Sequence, residues 1–392
     1  MTTSNTFGGS NALLTPPTTP KTTTTAQFSQ LPTAINDTSS APSLYRPRSD
    51  TDPYTFLDID SMSLDIENAP LLGRGLWSNV YKWSPFVPLP LPPLFSTAMN
   101  NGISEANTPP STPQSAPGFP APSSFAIKVA TRPDALAVFE SEARINHHLQ
   151  AASRLEAEKY IIPFHGFSPR SKALVFALAN AGTLGDLIST SASRSPSERL
   201  RIFSVLAPQL IAGLAFIHSR GVVHADIKFT NILLSHDSSN GELVARFADF
   251  GASFRARNTE EVSGLHAAGT WEFMAPEQLN RDVTVAMPSF ASDVYSLGVT
   301  LLGLLGGGGC YDEVTGSLFM LREAVKIGDP LGFGLRGWGF ERCLEETERE
   351  WKRQGGEGTL AGLMTKAVTK GRRDRCSAQA WLEQAEDMGL GN

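Results

Sequence analysis

The order of residue patterns along this chain predicts an α+β fold, with a small strand-rich part ahead of a larger helical one. Three observations predict it. Short β-branched and apolar runs come first, and helical patterns fill the later part of the chain. A strand, glycine turn and second strand at 69–83 stand alone between two compositionally biased stretches. Two strands are not stable by themselves, so this hairpin must complete its sheet with strands from beyond the second stretch.

The chain has 392 residues, too many for one average domain and too few for three. Its first 60 residues hold 21 Ser or Thr and 7 Pro, with only Lys21, Arg46 and Arg48 as basic side chains. Such a stretch cannot bury enough apolar surface to offset its ordering entropy, so 1–61 is expected to be a disordered tail. One domain then spans 62–392 and opens with the hairpin at 69–83. A second biased segment, 84–122, interrupts it with 11 Pro in 39 residues. From Pro85 to Pro93 the segment favours polyproline II and would suit an aromatic-lined groove; a surface loop inserted between two strands is the plainer reading. Thr15-Pro16, Thr19-Pro20, Thr108-Pro109 and Thr112-Pro113 are candidate sites for proline-directed kinases acting on tail and insertion. Chance occurrence in a Thr/Pro-biased stretch is the alternative.

Composition removes several function classes. A net charge of −6 makes no case for nucleic-acid binding, which shows as a basic excess. Three widely spaced cysteines, Cys310, Cys343 and Cys376, exclude a disulfide framework and a CxxC-type metal site, and read as inert thiols. No unbroken apolar run approaches the roughly 18–20 residues of a membrane span. The longest, 297–305, has Thr300 as its only polar side chain and runs into four glycines. Residues 1–10 lack the basic and apolar regions of a secretory signal. The expectation is an intracellular protein, cytoplasmic or nuclear.

Beyond the insertion, Phe125 to Val129 read as a strand with Lys128 among apolar neighbours. A Lys that interrupts a buried-looking run requires a partner. The next stretch, 134–152, is helical, and either Glu140 or Glu142 could supply that partner. Residues 174–178 form a short apolar strand, and Gly182 to Asp186 make a loop-to-helix transition. His224, Asp226, Lys228 and Asn231 then crowd four polar groups ahead of an apolar strand. Asp226 and Asn231 lie five apart and do not share a helix face. Their spacing suits a shaped loop, with one carboxylate as base and one amide oxygen on a cation. Asp249, 18 residues after Asn231, would add another oxygen, and few protein ligands plus phosphates suit Mg²⁺. Upstream, Gly73 and Gly75 with Ser78 put glycines where a backbone approaches a phosphate closely. Alone, that pattern fits an ordinary glycine turn better.

Together these residues resemble the signature of the eukaryotic-type protein kinases. The glycine-rich turn, the strand Lys128, the loop from His224 to Asn231, Asp249-Phe250-Gly251 and Ala275-Pro276-Glu277 occur in that family's order. Gly269 and Thr270 lead into the last motif, Asp293 to Gly298 is similar to the start of the family's central helix, and Arg375 to its late arginine. The resemblance covers about 66–390, less the insertion. It implies a bilobal fold with a small β-rich N-lobe and a larger helical C-lobe, ATP and Mg²⁺ as cofactors, and protein substrates. Lys228 and Thr270 fit the Ser/Thr type.

The resemblance also implies roles by position. The backbone at Gly73 and Gly75 would cover the ATP phosphates, and Val80 with Ala126 would sandwich the adenine against Leu233. Lys128 would hold the α- and β-phosphates and pair with Glu142, which the family's following Ile or Leu step favours over Glu140. Phe176 falls at the gatekeeper, with the backbone of Ala177 and Ala179 on the adenine edge. Asp226 would accept the substrate hydroxyl's proton, Lys228 would stabilise the transferring phosphoryl group, and Asn231 and Asp249 would hold Mg²⁺. Glu277 and Arg375 are expected as a buried ion pair, Asp293 as a brace for the catalytic-loop backbone, and His224 and Phe250 as packing residues.

Four features depart from the family. Ala225 replaces the Arg that usually precedes the catalytic Asp, which removes the main charge for reading a phosphorylated activation loop. Phe229 stands where Pro is common, Asn146 where an apolar side chain normally packs, and the insertion lengthens a loop. The glycine-heavy stretch 306–339 matches no family helix well. An active Ser/Thr kinase is the leading expectation. A pseudokinase scaffold would be marked by loss of Lys128, Asp226, Asn231 or Asp249, and none is lost. A small-molecule phosphotransferase is disfavoured by the complete segment from Gly269 to Glu277, which serves peptide substrates in the family.

Overall fold

The structure, a computed structural model, describes residues 68–84, 124–151, 153–237, 239–256 and 269–391. The tail at 1–61, the insertion at 85–122 with its Thr-Pro pairs, and Thr259 and Ser263, the hydroxyls that would take a phosphate on the activation loop between Gly251 and Ala275, lie outside the described residues. The expected hairpin is present as β1 (Leu71–Arg74) and β2 (Ser78–Trp83), and its missing partners come from beyond the insertion. They are β3 (Phe125–Ala130), β4 (Phe164–Ser168) and β5 (Ala173–Ala177), in an antiparallel sheet of order β1-β2-β3-β5-β4. The β2–β3 register sets Trp83 opposite Phe125, with ring centroids 5.9 Å apart. Just beyond them the Ser84 and Ser124 hydroxyls lie 2.8 Å apart, so the two ends of the insertion meet.

The strand period of two decides which face each β3 residue serves. Phe125 and Ile127 join Trp83, Ala173 and Val175 in one apolar cluster. Lys128 points the other way, toward α1 (Ala135–Gln150), where its ammonium lies 5.7 Å from the Phe139 ring centre. Helix α1 agrees with the expected 134–152 to within two residues, with Asp134 and Ala151 flanking it. Strand β5 is shifted by one residue from the expected 174–178.

The remaining chain is mostly helical. It comprises α2 (Arg154–Tyr160), α3 (Leu184–Ser189), α4 (Pro196–Ser219), α5 (Val283–Ala286) and α6 (Phe290–Gly306). Then follow α7 (Leu318–Ile327), α8 (Pro330–Gly334), α9 (Trp338–Arg353), α10 (Leu360–Thr365) and α11 (Ala378–Asp387). Strands β6 (Val222–Val223) and β9 (Phe254–Arg255) pair with each other, as do β7 (Ile232–His236) and β8 (Leu243–Phe247). Local chemistry sets the boundaries. Ser195 accepts the Glu198 N–H ahead of Pro196 at the first turn of α4, and Ser289 accepts the Ser292 N–H at the start of α6. Gly307, at φ 70°, ends α6 in the left-handed conformation that favours glycine.

No unbroken apolar run has spanning length, yet α4 is long and apolar enough, by length and composition, to cross a membrane. Sparse polar side chains interrupt its runs without lowering its average much. Its apolar residues, among them Leu200, Phe203, Leu206, Leu210 and Leu214, are buried in the main core with α6, α9 and α11, which accounts for that composition.

Candidate active site

The site is built where the β3 face meets α1 and the loops around β7 and β8. Lys128 is buried, and its ammonium contacts Glu142 Oε2 at 2.7 Å and Asp249 Oδ1 at 2.8 Å. Glu142, not the exposed Glu140, is therefore the partner that α1 turns inward. Asn146, one turn on, is buried and donates its side-chain amide to the Glu142 carbonyl at 2.9 Å. The helix register thus holds, and the polar side chain at a core position is satisfied.

Two carboxylates share one ammonium, and their surroundings divide the charge between them. Burial pushes Glu142 up to about 7 against the pull of Lys128. Burial also works to raise Asp249, but the Lys128 charge prevails and holds it at about 2. Asp249 keeps 46% of its side-chain surface open, which lowers its burial cost and favours the same outcome. Lys128 itself is disfavoured by burial and held above the usual lysine range by Asp249 and Glu142. Gly251 lies between these acids. A Cβ there would sit 3.3 Å from Asp249 Oδ1 and 3.6 Å from Glu142 Oε2.

The loop before β7 carries the second cluster. Asp226 Oδ2 receives the Lys228 ammonium at 2.8 Å and the Asn231 amide N–H at 3.0 Å, while Oδ1 receives the Thr270 hydroxyl at 3.3 Å. Lys228 also donates to Thr270 Oγ1 at 3.0 Å. The loop is braced from behind. Asp293 of α6 accepts the His224 and Ala225 N–H groups at 2.7 and 2.9 Å, and His218 Nε2 lies 3.1 Å from the same carboxylate. These bonds hold Ala225 at φ 68°, a backbone state that costs a non-glycine residue about 1–2 kcal/mol. The Ser253 hydroxyl donates to the His224 carbonyl at 2.9 Å, and His224 and Phe250 pack together in the core. Sequence reasoning named Asp293 but missed His218 and Ser253. Their contacts join residues far apart in the chain and leave no local signal.

Register brings the two expected cation ligands together. Ile232 pairs with Phe247, and the Ala248 N–H donates to the Asn231 carbonyl at 2.9 Å, so Asp249 emerges beside Asn231. Asn231 gives its amide nitrogen to Asp226, which leaves the amide oxygen as the group for a cation. An amide oxygen and a half-open carboxylate are hard donors, and they fit a Mg²⁺ that completes its shell with water and phosphate oxygens.

The expected nucleotide-facing residues line one side of the sheet and its exit. Val80 pairs with Lys128, Ala126 pairs with Phe176, and Leu233 bridges to Thr183; Val80, Ala126 and Leu233 are all only partly buried. At the strand exit the Ala177 N–H donates to the Pro163 carbonyl at 2.9 Å, and Ala179 follows two residues on. The Gly75 N–H donates to the Ser78 carbonyl at 2.7 Å, and a Cβ on Gly73 would meet nothing within 4 Å. Open space thus lies beside Gly73, whereas a Cβ on Gly75 would sit 3.4 Å from the Ser78 carbonyl oxygen.

Farther off, the Arg375 guanidinium pairs with both Glu277 oxygens at 2.6 and 2.7 Å, the expected ion pair. The three cysteines are free thiols, Cys310 and Cys343 buried and Cys376 partly so. Burial pushes the Cys310 and Cys376 thiols up, which suits inert roles.

An α+β fold with a small sheet and a larger helical part, joined at this constellation, is that of the protein kinases. Residues 121–385 match the model of the protein kinase domain, and the chain belongs to that family. It is 30% identical over 165 residues to serine/threonine-protein kinase 17A of Oryctolagus cuniculus, covering 42% of this chain and 39% of that protein. It is 37% identical over 141 residues to CBL-interacting serine/threonine-protein kinase 9 of Arabidopsis thaliana, covering 36% and 29%. With CBL-interacting serine/threonine-protein kinase 1 of the same plant, identity is 29% over 211 residues, covering 53% and 44%. The chain thus spans less than half the length of these curated relatives.

Proposed function

We propose that the protein is an active Ser/Thr protein kinase that transfers the γ-phosphoryl group of ATP to hydroxyls of protein substrates. The observation that carries this reading is the paired constellation: Lys128 on Glu142 and Asp249, and Asp226 on Lys228, Asn231 and Thr270. Asp226 takes the proton of the attacking hydroxyl, and its bonds from Asn231 and Thr270 fix the carboxylate's orientation. Lys228 brings positive charge to the same point, beside the oxygens on which negative charge spreads. Lys128 positions the nucleotide phosphates, and Asn231 and Asp249 hold Mg²⁺, which neutralises phosphate charge when bound. Val80, Ala126 and Leu233 enclose the adenine, with Ala177 and Ala179 on its edge and Gly73 and Gly75 over the phosphates.

The reading extends to regulation and placement. Activity does not require activation-loop phosphorylation, supported by Ala225 lying in an apolar cluster with Val223 and Phe254 where a guanidinium would otherwise stand. The kinase domain spans 62–392 and carries the insertion at 84–122, the tail and insertion serve as proline-directed phosphorylation sites, and the protein acts in the cytoplasm or nucleus.

The test is transfer of labelled γ-phosphate from ATP to a peptide library by the full chain. Asp226→Asn and Asp249→Asn should abolish transfer, because each removes a charge used in the reaction while keeping the side chain's shape. Both should still unfold cooperatively, Asp249→Asn at a somewhat lower temperature because Lys128 then keeps Glu142 as its partner. Residual activity within about tenfold of wild type in either variant would defeat the assignment.

A further inference from the structure

A cavity of about 360 Å³ opens beside the catalytic loop, and none of the residues named above for nucleotide or metal lines it. Phe229, three residues after Asp226, forms one wall, and its ring meets Phe273 edge-on with centroids 4.9 Å apart. Phe273 and Glu272 belong to the short turn Trp271–Phe273, which follows directly on Thr270, the hydroxyl bonded to Asp226. The cavity is therefore tied at two points to the group that receives the substrate's proton. Ile188 and Tyr311 add apolar wall, and the glycine run 307–309 leaves the rim without side chains.

Phe229 occupies this position because α6 makes room for it. A Cβ on Gly303 would collide with the tip of the Phe229 ring, and the Cβ of Gly185 would come within 3.4 Å of Phe229 Cβ. Two carboxylates complete the lining, Glu272 and Asp312, and no Lys or Arg is among the lining residues. Asp312 Oδ2 accepts the Gly309 N–H at 2.8 Å, which fixes that carboxylate at the rim. Glu272 is raised above the usual carboxylate range by burial and by the nearby Asp312 charge. Two carboxylates lining one cavity repel each other, and a bound cation would relieve that repulsion.

We infer that this cavity takes the arginine side chain of a peptide substrate, with the guanidinium on Glu272 and Asp312 and the stem along Phe229 and Phe273. The proposal rests on the kinase reading and specifies its substrate class. The cavity, lined by aromatic rings and two carboxylates, is what selects the ligand. Arginine's stem packs on apolar surface, its planar head stacks on rings, and its fork of N–H groups serves two carboxylates at once. Lysine, a compact point charge, would use less of this lining.

The test assays the full chain with Ser peptides carrying Arg, Ala or Glu in turn at each position flanking the acceptor. At one position the Arg peptide should exceed the Ala peptide in kcat/KM by about tenfold, as expected for a charge-assisted pair. Glu272→Gln and Asp312→Asn should each bring that ratio down toward one, and Glu272→Lys should turn the preference to Glu. Asp312 is exposed, and its Asn variant keeps an oxygen for the Gly309 N–H, so one arm survives any misfolding of the Glu272 variants. A wild-type profile without an Arg preference overturns the inference, as does a preference that both neutral variants retain. If no peptide is phosphorylated, the kinase reading fails on its own. Fluorescence anisotropy of labelled Arg and Ala peptides on the same proteins then decides the cavity, with equal binding overturning it.

Discussion

At the scale of single residues, the sharing of one ammonium between Glu142 and Asp249 has a consequence for stability. Glu142 is raised to about 7 in the fold against 4.5 as an ordinary carboxyl, so between those values the folded chain holds a proton that the unfolded chain releases. Stability therefore falls as pH rises through that window and levels off above about 7. Lys128→Met removes the positive charge that pulls Glu142 toward ionisation, leaving burial and the Asp249 repulsion to raise Glu142 further. The variant should silence transfer, and its stability should keep falling above pH 7, where wild type levels off. Each pH unit is worth about 1.4 kcal/mol, so the gap between the two should widen by about 2 kcal/mol from pH 7 to pH 8.5 in denaturant melts. Adding Glu142→Gln to Lys128→Met should remove the widening. A gap that stays constant with pH would show that Glu142 does not titrate in this way.

At the scale of elements, the insertion is the clearest case. The β2–β3 register closes with Trp83 on Phe125, and the Ser84 and Ser124 hydroxyls meet just beyond, so the pair needs only a short turn. Replacing 85–122 with about five Gly and Ser residues shortens the loop by roughly three halvings and lowers closure cost by about 2 kcal/mol. The shortened protein should melt no lower than wild type and phosphorylate a generic peptide within about twofold; an insoluble product would show that the segment packs on the sheet. The strands around it were legible in the sequence because burial on one face enforces a period of two, and Lys128 stood out as the break in that pattern. The reaction residues were legible because proton transfer and phosphate binding restrict residue type and spacing. The stretch 306–339 was not, for two physical reasons. A Cβ on Gly306 would run into the Phe340 ring, so that glycine answers to a side chain 34 positions away. Helix α7 also exposes Leu318, Phe319 and Met320 together, which breaks the helical alternation a sequence reader follows.

At the scale of the whole molecule, the catalytic loop is tied to the helical core through Asp293 of α6. Asp293 accepts both the His224 and Ala225 N–H groups, the Ser253 hydroxyl donates to the His224 carbonyl, and Thr270 joins Asp226 to Lys228. Where the family usually presents a guanidinium, Ala225 contributes a methyl group to the cluster with Val223 and Phe254. A phosphate on Thr259 or Ser263 would add about −1.5 to −2 charges, with no cation at that position of the loop to receive it. Protein made in bacteria and treated with phosphatase should therefore phosphorylate peptides at nearly the untreated rate, and Thr259→Ala and Ser263→Ala should stay within about twofold of wild type. Thr270→Ala should lose activity for another reason, since its hydroxyl touches both Asp226 and Lys228. If phosphatase silences the enzyme and mass spectrometry maps the lost phosphate to Thr259 or Ser263, another cation has taken over the missing arginine's task. The core contacts around Asp293 would then be insufficient to hold the loop in its working form.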